Sequence, residues 1–320
     1  MNELNYRKIK ALNQSHLKKV LSGPAFATKN EEQEERDHFV LGQYVEDLCF
    51  DADVSQYLAF DFPSRTTNVG KFTWAIYQHF LENEGVWPNS TQCEAIYGVL
   101  GVKKPNVTTL IADTEPILRP ISNISLDTHI ISPEIKSKAE FASKKVKEDV
   151  LTSKMLNSDD ITQSITKVPI TWLHDDDEKT LCKGEIDLLR VNHEKRMVRI
   201  VDIKTLSDAV YRLDRNFWKY RYDFQLSFYK FGLSRSQFFK DNYEGYTILP
   251  PMIVAVDFMT EAPLIYQLKQ ETLDIGEHGG KTPTGYEVKG WREAIELHKF
   301  YEEYGYRYPK EVVINKYIEI

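Results

Sequence analysis

The chain has 320 residues, 42% of them hydrophobic and 28% charged, and a formal net charge of −7 at pH 7. Such a composition supports a substantial core, and its acidic balance excludes a generally basic nucleic-acid binder. No run of about 18 apolar residues occurs, so no membrane span is expected.

The three cysteines, Cys49, Cys93 and Cys182, lie far apart, which fits reduced thiols and a cytoplasmic chain. They are fewer than the four that an iron–sulfur cluster needs. The opening residues, Met1 to Arg7, lack an apolar signal core. Asn13-Gln14-Ser15-His16-Leu17-Lys18-Lys19-Val20 reads as a helix that leads into Gly23-Pro24-Ala25-Phe26. Residues 31–50 read as a helix with an acidic, solvated start and an apolar stripe of Leu41, Val45, Leu48 and Cys49. Glu46 sits beside that stripe, with Asp47 next in line.

Residues 51–168 read as a largely helical region. Helices are expected over 72–84 and 91–100, with Trp74, Ile76, Tyr77 and Phe80 as packing residues. Lys104-Pro105-Asn106 marks a break. Ser132 as N-cap and Pro133 at the first position open a helix expected to run to Met155, and Asn157-Ser158-Asp159-Asp160 ends it. Lys136, Lys138, Lys144, Lys145 and Lys147 on it read as a solvated face. Asp175-Asp176-Asp177-Glu178 reads as a solvated turn between strands at 170–174 and 180–189.

The most informative stretch is 181–229. A strand over 181–191 carries Gly184-Glu185-Ile186-Asp187, a polar turn follows at 192–196, and a second strand over 197–204 carries Asp202-Ile203-Lys204, followed by Thr205. Val198, Ile200 and Ile203 give it the β-branched character of a buried strand. Asp202 and Lys204, two apart, point to one face. Pairing the two strands can bring Asp187 near Asp202, so that two carboxylates and an ammonium converge. Charges there are costly unless something uses them. Oxygen ligands of this kind suit Mg²⁺, with Mn²⁺ as its substitute. A lysine beside such a metal can orient or deprotonate a water, or stabilise a developing phosphate charge. Downstream, Gln225 and Tyr229 are i and i+4 on one face of an expected helix. Just before them, Arg212, Arg215, Lys219 and Arg221 alternate with aromatics, a pattern suited to phosphates or bases.

An apolar strand is expected over 251–259, paired with 264–268, and a last helix over 290–306. Gly276-Glu277-His278-Gly279-Gly280-Lys281-Thr282 has three residues where a Walker A needs four between its first glycine and Gly-Lys, so it reads as a loop and no ATP site is expected.

Gly-x-x-Asp, then Asp-x-Lys-Thr at a strand end, then Gln-x-x-x-Tyr, in this order and spacing, resembles the PD-(D/E)xK nuclease superfamily in its RecB-like branch. Gly184-Glu185-Ile186-Asp187 stands in place of the usual Pro-Asp. The opening at 13–26 and Gly42-Gln43-Tyr44-Val45-Glu46 is similar to that of RecE-type exonucleases (exodeoxyribonuclease VIII), with Glu46 in a slot that holds histidine there. The likeness covers 12–50 and 168–306.

This resemblance implies an α/β fold with a restriction-endonuclease-like core, a mixed central sheet flanked by helices, in one domain of 1–320 with a helical insertion at 51–168. It implies a Mg²⁺-dependent deoxyribonuclease in which Glu46, Asp187, Asp202 and the Ile203 carbonyl hold metal. Lys204 then helps activate water, and Gln225 and Tyr229 position the scissile strand. It further implies a 5′–3′ exonuclease on duplex ends, a ring-shaped homo-oligomer serving recombination beside a single-strand annealing protein, in the host cytoplasm if phage-encoded. A structure-specific or single-strand endonuclease and a non-catalytic DNA-end binding protein stand as alternatives.

Overall fold

The computed structural model describes residues 6, 8–28, 37–102, 105–174, 180–259 and 262–315. The expected acidic start of a helix at 31–36, Lys104 and the turn at 175–178 lie outside these residues. The chain forms two compact units, one of Met1–Glu34 with Phe141–Ile320, the other of Glu35–Glu140. Among the described residues, no helix is long and apolar enough to cross a membrane.

The first unit begins with Leu12, which joins the sheet as a parallel bridge to Cys182. Asn13 then caps helix α1 (Gln14–Ser22), its side chain accepting from the His16 N–H at 2.8 Å. Leu17 and Val20 are the buried face of α1. A one-turn helix, α2 (Pro24–Ala27), follows Gly23.

The second unit holds α3 (Asp37–Cys49), β1 (Tyr57–Ala59), α4 (Asn68–Glu82), α5 (Ser90–Leu100), α6 (Val107–Leu118) and β2 (His129–Ile131). Strands β1 and β2 pair in parallel. Helix α4 begins four residues before the expected start because Thr67 caps it, accepting from the Gly70 N–H. Its buried side, Phe72, Ile76, Tyr77 and Phe80, closes a core with Leu110 and Ile121. Each such side chain contributes about 1.5–3 kcal/mol on burial.

Helix α7 (Pro133–Glu148) spans the boundary between the units, and α8 (Val150–Leu156) follows it. One helix to Met155 was expected. Asp149 divides it by accepting from the Leu151 and Thr152 N–H groups, which starts a new helix. The α7 lysines are not all solvated. Lys136, Lys138 and Lys144 make exposed i,i+4 pairs, but Lys145 is held at the Asp257 carbonyl, 3.1 Å away.

The first unit is then built on a six-stranded sheet in the order β3 (Thr162–His174), β4 (Thr180–Asn192), β5 (Met197–Leu206), β7 (Met252–Asp257), β8 (Leu264–Gln267), with β6 (Thr247–Ile248) also on β5. The sheet is mixed: β4 is antiparallel to β5, whereas β6 and β7 are parallel to it. Residues 162–168, placed by sequence in the helical region, form the first half of β3. Their polar side chains suit an edge strand, and Asp159 starts it by accepting from the Ile161 and Thr162 N–H groups.

Beyond the sheet come α9 (Leu213–Phe217), α10 (Tyr222–Arg235), α11 (Gln237–Tyr243), α12 (Gln270–His278), β9 (Gly280–Lys281), β10 (Glu287–Val288), α13 (Trp291–Tyr304) and α14 (Lys310–Asn315). The expected loop at 276–282 is instead the last turn of α12 and the strand β9, which pairs with β10. Helix α10 buries Phe224 and Phe228 in the core with Trp172, Ile186 and Trp291. Its close approach to the sheet needs Gly232, where a Cβ would sit 2.6 Å from the Trp172 ring. The architecture is thus a mixed α/β one, with helices against a mixed sheet.

Candidate active site

The β4–β5 register sets Leu188 opposite Val201 and Leu189 opposite Ile200. Continued by one residue, it sets Asp187 opposite Asp202, where the ladder ends. Both point to the face that carries Leu189, Val198 and Ile200, the face covered by α10. Asp187 is half-buried and Asp202 only 2% exposed.

Asp202 is the centre of the arrangement. Lys204 Nζ lies 2.7 Å from its Oδ2, and the Gln225 amide donates to its Oδ1 at 3.2 Å. Both Asp202 oxygens thus have partners, whereas Asp187 Oδ2 is buried with none. Burial pushes the Asp202 carboxyl well above the usual carboxylate range. Asp187 raises it further, while Lys204 opposes both. Two carboxylates share this site with the Lys204 ammonium, and Lys18 also feels the charge of Asp202.

Local structure holds this geometry. Opposite Asp187 on the neighbouring strand is Lys167, whose φ of 50° is left-handed, a conformation that costs a non-glycine residue about 1–3 kcal/mol. Tyr229 packs one turn after Gln225, against Gly184, where a Cβ would stand 2.8 Å from its ring. Gly184 is therefore required by the ring. Tyr229 is kept neutral: burial, then the charges of Asp187 and Asp202, raise its pKa. Burial and Asp202 likewise raise that of Tyr222, whose ring centre lies 5.4 Å from Lys204 Nζ.

Lys18 is a residue that sequence reasoning left without a role. Helix α1 brings its amine to the Tyr220 carbonyl, 2.9 Å away. Burial, followed by the charge of Lys204, lowers its pKa to about 7. The signal in the sequence was its place in the 13–20 helix, but nothing there tied it to Lys204.

The remaining candidates are placed as follows. Glu46 is half-buried on α3, in the second unit. Its neighbour Asp47 is buried and accepts from Gln43 at 2.9 Å, Gln56 at 3.4 Å and the Tyr57 hydroxyl at 2.7 Å. Arg215 and Lys219 are exposed, and Arg212 pairs with Asp208 at 3.4 Å. Arg221 is engaged inside the fold. Its Nε and Nη2 grip Asp223, each at 3.0 Å, and Nη2 also donates to the Lys289 carbonyl.

A divalent cation fits the chemistry of the pair. Two adjacent hard carboxylates, one with a buried oxygen that has no donor, are what Mg²⁺ takes from a protein, keeping waters for its other positions. Among the described residues, no group of three or more His, Cys, Asp or Glu side chains gathers to hold a metal. Asp187 and Asp202 are the carboxylates that this site offers to one.

Neither a protein-family model nor a curated protein matches this chain. It is similar to a solved structure described as "Crystal structure of SSO0001", at 11% identity over 82% of each chain and a TM-score of 0.27. That likeness is too distant to carry an inference.

Proposed function

We propose that the chain is a metal-dependent deoxyribonuclease with a PD-(D/E)xK-like core, hydrolysing phosphodiester bonds at Asp187, Asp202 and Lys204. The observation that carries this reading is the Asp187–Asp202 pair, with a buried Asp187 oxygen that has no donor and an ammonium 2.7 Å from Asp202. A pair kept for stability alone would have its oxygens filled by donors.

Asp187, Asp202 and the Ile203 carbonyl would hold Mg²⁺ or Mn²⁺. When bound, the ion would supply Lewis acidity and lower the pKa of a coordinated water. Gln225 fixes the orientation of the Asp202 carboxylate through Oδ1. The Lys204 ammonium, held against Asp202 and the Tyr222 ring, is placed to meet the attacking water or the charge that grows on the phosphate. The dry surroundings strengthen each of these interactions. Tyr229 packs the helix onto Gly184, which fixes Gln225.

The finer reading is a 5′–3′ exonuclease on linear duplex, working as a homo-oligomer with a single-strand annealing partner. It rests on the RecE-type pattern at 13–46. Linear plasmid, closed circular plasmid and single strand, each with Mg²⁺, Mn²⁺ or EDTA, test both levels. Metal-dependent loss of linear DNA alone is expected. Rapid nicking of closed circles would replace the exonuclease by an endonuclease, and no cleavage with either metal would remove the nuclease reading.

A further inference from the structure

The opposite face of the same two strands carries a second charged site. Arg190 on β4 and Arg199 on β5 are register partners, as are Asn192 and Met197. Strand alternation turns these side chains away from the face of Asp202. With Met155 and Met252 they line an open cleft of about 260 Å³.

Like charges directly opposite each other on paired strands are destabilising. Burial adds to the cost, since it lowers the pKa of both guanidiniums. Arg190 is anchored, its Nη1 donating to the Asn157 carbonyl and the Ser164 hydroxyl, and it feels the charge of exposed Asp159. Arg199 is not so anchored. Its Nε is buried without a hydrogen-bond partner, and its Nη1 meets the Met252 sulfur at 3.1 Å. Among the described residues, no carboxylate forms an ion pair with it.

We propose that this cleft binds a phosphate monoester carried on a flat ring, of the class of a nucleoside monophosphate. A phosphate in the cleft supplies the anion that Arg199 lacks, and the planar fork of arginine matches its oxygens. The three methionine thioethers suit the edge of an aromatic ring, and the Asn192 amide can bond its polar atoms. This site is separate from the Asp202 face and does not rest on the nuclease reading.

Calorimetric titration of the full chain with dAMP, in EDTA so that metal does not recruit the nucleotide to Asp202, tests it. Saturable one-site binding is expected, with inorganic phosphate and adenosine each at least about tenfold weaker. Arg199→Met, shown folded by its melting curve, should weaken dAMP by about 10- to 100-fold, the loss of charge-assisted hydrogen bonds. Should that variant fail to fold, Arg199→Lys carries the test with an expected several-fold loss, since it keeps the charge but not the fork. Unchanged affinity in the folded variant, equal binding of adenosine and dAMP, or no binding at about 5 mM dAMP overturns the proposal.

Discussion

Asp47 and Asp202 are both carboxylates almost fully withdrawn from water, at 6% and 2% exposure. Around Asp47 three neutral donors, from Gln43, Gln56 and Tyr57, cover both oxygens. Around Asp202 there is one neutral donor, one ammonium and a second carboxylate that raises its pKa. Two other buried acids follow the Asp47 pattern: Asp223 is gripped by Arg221, and Asp257 accepts from the Val210 and Met259 N–H groups. A carboxylate kept for stability is matched with donors. The mismatch at Asp202 lowers stability, and a site that binds a cation has a use for it.

The largest expected effect separates the two regions by activity. Lys204→Ala should lower metal-dependent DNA cleavage by about 10²- to 10⁴-fold, the range for a positioned acid–base or charge-stabilising group. Mg²⁺ binding should persist, and the melting temperature in EDTA should fall because Asp202 loses its ion-pair partner. Wild-type turnover in that variant would show the ammonium to be a structural counter-ion only.

The next effect is on stability. Asp47→Ala should cost about 1–2 kcal/mol, because it leaves the half-buried Tyr57 hydroxyl without its acceptor, while the exposed Gln43 and Gln56 amides can turn to water. Glu46→Ala, one residue away and half-buried, should melt near wild type. Denaturant titration of both variants decides it, and equal midpoints would show that the donors around Asp47 add no stability.

A smaller effect runs the other way. Burial raises the Asp202 pKa in the folded chain, so ionisation favours unfolding. Without metal, stability should fall as pH rises from about 4, the ordinary carboxylate value, towards the raised one. Asp202→Asn removes that slope. At neutral pH in EDTA it should be more stable than wild type by at least about 1 kcal/mol, one pKa unit's worth, and equal to it below about pH 4. Added Mg²⁺ should raise the wild-type melting temperature and leave the variant's unchanged. A less stable Asp202→Asn in EDTA would mean that the pair is matched after all.

Period made the β4–β5 hairpin legible, whereas its register was not: Asn192 pairs with Met197, so the turn is 193–196 and not the 192–196 read from its polar residues. Helical spacing put Gln225 and Tyr229 on one face, and the structure adds which of them reaches Asp202. Less local relations could not be read. Asp47 is satisfied by Gln56 and Tyr57, which lie beyond the end of its own helix. Lys18 meets Tyr220 from 202 residues away. The basic pattern at 212–221 was visible, but periodicity does not reveal that Arg221 is consumed by Asp223.

That last difference shapes the smallest expected effect. A chain of net charge −7 repels duplex DNA over most of its surface. Contact should be confined to cations that the fold leaves available. Arg215 and Lys219 are exposed, and Arg212 has only a loose pair with Asp208. Such contacts lower log affinity by about 0.9 per phosphate neutralised for each decade of salt. Replacing Arg212 and Arg215 by alanine should weaken binding of linear duplex and flatten the salt slope by about one to two units. The melting curve and the metal requirement should stay as they are, because neither residue touches Asp187 or Asp202. Fluorescence anisotropy of a labelled duplex across a salt series, in EDTA, reads the slope directly. An unchanged slope would move the DNA-facing surface away from this segment while leaving the Asp202 site as described.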